Sequence, residues 1–353
     1  MKVAIINDTH CGIRNSSDIF LDNAEKFYND VFFPTLLERG IRHIVHLGDY
    51  FDHRKFINFR ALNRNRHVFL ERLRKEQITM DIICGNHDTY YKNTNELNSL
   101  KELLGHYMNE VHIIHEPTVM QYGSLKMGMV PWICPENHDK TMEFLRTAKC
   151  DWIGGHFEFA GFNVLRGVLA PHGLDHKELS RFERVLSGHY HTKSQKDNVT
   201  YLGTQMEFSW NDAHDPKHFH ILDTETRELE AIQNNHTLFQ KIVYNDEETD
   251  YNKYNVTNLD GKFVKIVIVN KKDLFTFDRF IDRIQNRKIH DLKIAENFDE
   301  FLGSSVEDES VSIEETTELL DTYIEAVETE LDKDRLKLSM RNLMTEAQAI
   351  ETV

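Results

Sequence analysis

The sequence predicts a mixed α/β fold, in which a helix-flanked sheet carries a second sheet packed on it. Three observations predict this. From Lys2 to Glu116, short apolar runs alternate with segments of helical period, a βαβα order that puts helices on the faces of a sheet. After Pro131 the apolar runs become shorter and denser, as closely spaced strands do. Beyond a polar, turn-rich stretch at residues 245–261 lies a compact strand–helix–strand unit.

The elements follow in order. "KVAIIN" at Lys2–Asn7 is a first strand, and its four-residue apolar run is too short for a signal-peptide core. Phe20–Arg39 has a helical pattern that Pro34 is expected to kink or end. Ile41–Asp49 is a second strand, Phe56–Lys75 a basic helix with apolar Phe59, Leu62, Phe69 and Leu73, and Ile78–Asp88 a third strand. Asn95–Tyr107 is a short helix, and "VHIIHE" a fourth strand. Six further strands, from "CDWIGGH" to "LEAIQ", are expected to form the second sheet. The unit that follows has strands at Lys262–Asn270 and Ile289–Phe298 around a helix at Leu274–Arg287. "GSSVEDESVS" then reads as an acidic linker. Two amphipathic helices close the chain, one with Ile313, Leu320, Ile324 and Val327 on its stripe, the other with Leu336, Met340 and Leu343.

Charge sets limits. The chain of 353 residues carries −16, but residues 294–353 hold 17 acids and 4 bases, so the first 293 carry only −3. That body, which holds all 20 histidines, is not too acidic to meet nucleic acid. No apolar run approaches membrane-spanning length. Cys11, Cys84, Cys134 and Cys150 form no CxxC pair and read as reduced thiols of a cytoplasmic protein.

Metal-type residues gather at the ends of strands. "NDTH" supplies Asp8 and His10, "GDYFD" Asp49 and Asp52, "GNHD" Asn86, His87 and Asp88, "GGH" His156, and "GHYH" His189 and His191. In an extended chain, residues two apart share a side, so His189 and His191 are expected to face one point. In α/β sheets, ligands collect beyond the carboxyl ends of strands. Carboxylates, an amide and several imidazoles suit Mn²⁺, Fe²⁺ or Zn²⁺ better than Ca²⁺. Two such ions would clamp both oxygens of a phosphoester displacement, and Asp49 is placed to be shared between them.

This order of motifs (DxH, GDxxD, GNHD, GGH, GHxH) resembles the calcineurin-like metallophosphoesterase superfamily. Within it the chain looks like the SbcD-type DNA repair nucleases, including the recombination endonuclease subunits of T-even-like phages. The motifs span Asp8 to His191, and the likeness to the phage subunits runs the whole length. The resemblance implies a four-layered αββα sandwich over residues 1–245, a small αβ capping, DNA-binding domain over 246–300, a linker over 301–312 and a helix-turn-helix-like tail over 313–353. It implies that Asp8, His10, Asp49 and His191 hold one divalent metal and Asp49, Asn86, His156 and His189 the other, with Mn²⁺ foremost and Mg²⁺, Fe²⁺ or Zn²⁺ as alternatives. His87 would meet the scissile phosphate and serve the leaving 3′-oxygen, leaning on Asp88. The chain departs from some cellular relatives, which carry a His three residues after the shared Asp; here Asp52 stands there, with His53 next. Either takes part in catalysis, or Asp52 only braces the site.

Eight bases and one acid lie between Arg54 and Lys75. His53, Arg54, Lys55, Arg60 and Arg64 would place positive charge at the mouth of the site for DNA phosphates, or the run is a solvated helix face. "YLGTQMEFSW" (Tyr201–Trp210) is a further candidate for DNA contact, and His172, His176, His214, His218 and His220 read as surface or turn residues. The resemblance implies pairing of two copies through the Phe56–Lys75 and Asn95–Tyr107 helices. It also implies that the tail binds the coiled coil of an SbcC-type, SMC-like ATPase; the other reading folds the tail back on the body. No GxxxxGK[ST] loop is present, so ATP use falls to that partner. The expected activity is metal-dependent hydrolysis of DNA, exonucleolytic at ends and endonucleolytic on single strands, in the cytoplasm of an infected bacterium. A phosphatase or cyclic-nucleotide phosphodiesterase, or a structural DNA-binding subunit, is the alternative.

Overall fold

The computed structural model describes residues 1–165 and 168–296, with five helical positions between 333 and 339. The chain divides into two units, residues 1–305 and 306–353. The acidic linker and the stripe residues Ile313, Leu320, Ile324, Val327, Met340 and Leu343 lie outside the described residues, and Leu336 is a half-buried helical position.

Parallel strands β1 (Lys2–Ile6), β2 (His43–His46), β3 (Thr79–Ile83) and β4 (Val111–Ile114) make most of a first sheet. A hairpin of β5 (Thr118–Tyr122) and β6 (Leu125–Val130) opens a second sheet, continued in parallel by β7 (Trp152–Gly155). A small hairpin, β8 (Asn163–Leu165) and β9 (Val168–Leu169), stands apart from it. β10 (Arg184–Ser187), β11 (Ser194–Lys196) and β12 (Val199–Tyr201) complete the order β11-β12-β10-β7-β6-β5. β13 (Lys217–Asp223) and β14 (Leu229–Asn234) then return antiparallel to β1, giving β14-β13-β1-β2-β3-β4. A third, parallel sheet follows from β15 (Phe239–Asn245), β16 (Phe263–Asn270) and β17 (Asp291–Ala295).

Three apolar cores make this four layers. Ile5, Val45, Leu47 and Ile83 of the first sheet meet Met127, Met129, Trp152 and Leu186 of the second. The outer face of the first sheet packs on the helical runs of residues 18–38 and 59–75 through Phe27, Phe32, Phe33 and Phe69. The second sheet's outer face buries Val130, Ile153 and Val185 with Leu145 of the helix His138–Thr147. The third sheet has its own core, closed by Phe277, Phe280, Ile281 and Ile284 of the helix Leu274–Gln285.

Four expectations need correction. The second sheet begins at Thr118, ahead of Pro131, because Gly123 (φ 56°) turns the chain tightly between β5 and β6. β13 and β14 join the first sheet, not the second: Phe219 and Ile221 face its helices while Leu222 faces the other sheet, so both faces are apolar and the pattern alone does not choose. Pro34 neither ends nor breaks its helix. The preceding turn, Phe27–Phe32, widens to π form, which makes room for the ring, and the helix runs on to Glu38. The third sheet also takes in Phe239–Asn245, ahead of the polar stretch, because β15 pairs in parallel with β16.

Candidate metal centre

The parallel strands of both sheets deliver their carboxyl ends to one place. Asp8 follows β1, Asp49 follows β2, Asn86 follows β3, His156 follows β7 and His189 follows β10. The chain turns sharply at each end. Asp8, His10, Asp49 and His189 all have positive φ, between 43° and 85°, a conformation that costs an L-residue about 1–2 kcal/mol. The neighbouring glycines are a steric requirement. A Cβ on Gly48 (φ 90°) would lie 2.6 Å from His156 Nδ1, and one on Gly85 would overlap Asp49 Oδ1 and the Asp49 amide.

Two clusters meet at Asp49, and a third grouping, of His10 with Asp52 and His87, borders the first. In the first, Asp8, His10 and His191 converge, with His10 Nε2 3.2 Å from His191 Nε2 and 3.8 Å from both Asp8 Oδ1 and Asp49 Oδ2. In the other, His156 Nε2 lies 2.9 Å from Asn86 Oδ1 and 3.2 Å from Asp49 Oδ2, and His189 Nδ1 lies 3.0 Å from the same Asn86 oxygen. Asp49 Oδ2 faces both. Its Oδ1 is taken by the His87 amide at 2.8 Å. The Asp8 carboxylate is held by Asn7 Nδ2 and the His189 amide.

The donor set calls for cations. His156 Nδ1 donates to the Leu47 carbonyl at 2.8 Å, so in the neutral ring Nε2 carries a lone pair. That lone pair would point at an amide oxygen and a carboxylate oxygen, in a pocket where His156 and Asp8 are fully buried. Only a proton or a metal ion relieves such a meeting. The balance of buried charge points the same way. Burial works against charge on His10 and His156, but Asp52, Asp49 and Asp8 around His10, and Asp49 and Asp8 around His156, raise each to about 9. Burial and the two charged imidazoles depress His189 well below its ordinary value and His191 to about 3. Burial opposes charge on Asp49, yet His156 and His87 keep its carboxyl well below the usual range. These residues suit metals bound through neutral imidazole and ionised carboxylate.

Some expected arrangements differ. His189 and His191 do not face one point: the strand ends at Ser187, His189 turns at φ 85°, and each ring joins a different cluster. His87 does not lean on Asp88. Its Nδ1 bonds the Asp52 carbonyl at 2.6 Å. Asp88 is buried and accepts from the amides of Gly85, Tyr50 and Phe51 and from Ser99, so it ties its own loop to the Tyr50–Phe51 loop and to the start of the Ser99–Leu104 helix. Asp52 Oδ1 sits 3.2 Å from His10 Nδ1, and His53 stacks on exposed Phe56 at 4.3 Å. Arg60 and Arg64 turn toward the 18–38 helix, Arg60 to Asp18 and Arg64 to Asp22 and Glu25, away from any free phosphate track. Arg54 is half-buried, and Lys55 is exposed. "YLGTQMEFSW" is almost wholly buried, its Phe208 ring standing 5.6 Å from His10 and 5.7 Å from His191, so it walls the first cluster and offers DNA no surface. His176 and His220 are buried as well. The four cysteines are free.

Residues the motifs do not reveal complete the site. Trp132 packs against His189 and His156. Lys217, buried with Asp212 at 2.5 Å and Asp215 at 2.9 Å, donates to the His191 carbonyl. His46 meets Thr9 behind the first cluster, and burial drives it down to about 3. None of these carries a sequence signal beyond its type.

No family model matches the chain. It is 30% identical over 341 residues to exonuclease subunit 1 of enterobacteria phage T4, covering 95% of both chains. Among solved structures, it is similar to an archaeal phosphodiesterase at 18% identity, covering 66% of this chain and all of the other, with a TM-score of 0.34. It is also similar to a purple acid phosphatase from yellow lupin seeds at 13% identity, covering 55% and 38%, with a TM-score of 0.35. Structural likeness at that level says nothing of activity.

Proposed function

The chain belongs to the metallophosphoesterase family of the phage T4 exonuclease subunit 1 and is a metal-dependent phosphodiesterase; on that premise we propose that it is a dinuclear-metal DNA nuclease, exonucleolytic at DNA ends and endonucleolytic on single strands. The observation that carries this reading is the Asp49 carboxylate, whose Oδ2 faces His10 Nε2 on one side and His156 Nε2 on the other. Asp8, His10, Asp49 and His191 would hold one divalent cation, and Asp49, Asn86, His156 and His189 a second, with Mn²⁺ the first choice. Bound there, the cations would supply Lewis-acid charge and a nucleophile ionised at neutral pH.

The protein's own groups do the rest. Donation from His87 Nδ1 to the Asp52 carbonyl fixes the ring, leaving the other nitrogen to meet the scissile phosphate and pass a proton to the leaving 3′-oxygen. Asp52 braces His10 rather than acting on substrate. Exposed Lys55 and part-exposed His53 stand next to this edge and would meet backbone phosphates. Phe59, 84% exposed on one helical segment tied to pairing, and Met108, 79% exposed just beyond the other, support a homodimer. The tail would bind an SMC-like ATPase that controls access, and the complex would work in the cytoplasm of the infected host. No helix among the described residues is long and apolar enough to cross a membrane.

The test is a cleavage assay in Mn²⁺ on end-labelled linear duplex and on circular single strands, wild type beside His87→Ala, with a chromogenic phosphodiester in parallel. Loss of both DNAs that falls by at least roughly 100-fold in the variant is the expected result. Turnover of the small ester with intact DNA would move the protein to a phosphatase or cyclic-nucleotide phosphodiesterase. DNA binding without any turnover would make it a structural subunit.

A further inference from the structure

Beside the second cluster lies a cleft of about 330 Å³. His156 belongs to both: its Nε2 faces Asp49 and Asn86, and its ring forms one wall of the cleft. Trp132, Pro135, Phe157 and Leu174 give the remaining walls an apolar and aromatic character, and His138 and Glu158 bring polar groups to it. The volume lies at the lower end of small-ligand sites.

Trp132 is held firmly. Its amide donates to the Cys84 carbonyl at 2.8 Å, and its own carbonyl accepts from Asn95 Nδ2 at 2.6 Å and Asn137 Nδ2 at 2.9 Å. The indole lies 5.5 Å from the His189 ring and 6.0 Å from His156. It is half-buried, whereas the other two tryptophans, Trp152 and Trp210, are buried. A part-exposed indole on a tightly bonded backbone, packed beside metal-type histidines, is a surface on which a flat ring can stack.

Resting on the nuclease reading above, we propose that this cleft is the subsite for a nucleoside next to the scissile phosphate, with its base stacked on Trp132. A phosphodiester seated between the clusters carries a nucleoside on each side, and the cleft borders the second cluster across His156. Stacking is tolerant of sequence because every base offers a π-face, which suits a nuclease that degrades ends of any composition.

The experiment has a binding arm and a kinetic arm, both on the full chain. In the first, tryptophan fluorescence is followed during titration with dAMP, and with ribose 5-phosphate as a base-free control. The proposal expects saturable quenching by dAMP that the control does not give and that Trp132→Phe removes. Equal quenching by both ligands, or quenching that persists in Trp132→Phe, overturns it. In the second, KM is measured for thymidine 5′-(p-nitrophenyl) phosphate and for methyl p-nitrophenyl phosphate, which keeps the same leaving group but carries no ring in place of the nucleoside. Trp132→Ala should raise the first roughly tenfold more than the second, with Trp132→Phe recovering most of the difference. Equal losses on the two esters would mean that Trp132 only props the histidines, and the subsite is refuted. The binding arm needs no turnover, so a protein inactive on every ester would sink the nuclease reading while leaving the cleft separately decided.

Discussion

At the scale of single residues, carboxylates govern the metal-type histidines. His10 and His156 are held at about 9 because Asp8, Asp49 and, at His10, Asp52 outweigh the cost of burying charge. Without metal both rings are protonated at neutral pH, and a cation must displace those protons. Metal affinity should therefore rise with pH and level off above about 9. Calorimetric titration with Mn²⁺ at pH 7.5, in two buffers of different ionisation enthalpy, should report about two protons released per chain. An enthalpy that does not depend on buffer would count against this balance. Gly85 gives a second prediction. Its missing Cβ is where Asp49 sits, so Gly85→Ala should displace that carboxylate, cost about 1–3 kcal/mol in thermal unfolding and weaken metal uptake at both clusters. An unchanged melting point with full metal uptake would contradict it. The motif glycines and the ligand types were legible as sequence because tight strand ends and lone-pair donors use few residue types. The partner of His87 was not: adjacency suggests Asp88, but backbone geometry turns that carboxylate inward to three amides and offers His87 the Asp52 carbonyl instead.

At the scale of elements, the strand ends away from the metals carry their own polar plug. Asp81 of β3 accepts from Tyr122 of β5 at 2.7 Å and pairs with His43 of β2 at 2.9 Å and His112 of β4 at 3.0 Å. Burial opposes its charge, but His43 and Tyr122 keep the Asp81 carboxyl below the ordinary 3.8. A depressed carboxyl contributes stability that is complete above its unfolded value and is lost as pH falls through the folded one. Asp81→Asn should therefore cost about 1–3 kcal/mol near neutral pH, and the gap to wild type should close as pH drops below about 4. Unfolding by urea across that range reads it, and a gap that widens in acid would refute it. The helix of residues 59–75 gives a contrasting expectation. Arg64 spends its guanidinium on Asp22 and Glu25 at the surface, so Arg64→Ala should change stability by under about 1 kcal/mol and leave the salt dependence of DNA binding as it was. A shallower salt slope would return Arg64 to the phosphate track. The basic run itself was plain in the sequence, but its direction depends on the acids of a helix some forty residues earlier.

At the scale of the whole molecule, βα alternation in the first half was readable because apolar strands and periodic helices differ in period. The membership of each later strand was not. β13 is apolar on both faces, so the same residues suit either sheet, and only pairing with β1 assigns it. That assignment matters, since it sets Lys217, at the start of β13, under the His191 carbonyl. The two sheets together aim five strand ends at one pocket, and the account rests on that pocket holding two cations that share Asp49. Electron paramagnetic resonance of the full chain titrated with Mn²⁺ tests this most directly. The account predicts uptake of two ions per chain as a spin-coupled pair, with the coupling lost in Asp49→Ala. A single uncoupled Mn²⁺ at saturation, or a coupled pair that survives removal of the Asp49 carboxylate, would contradict it.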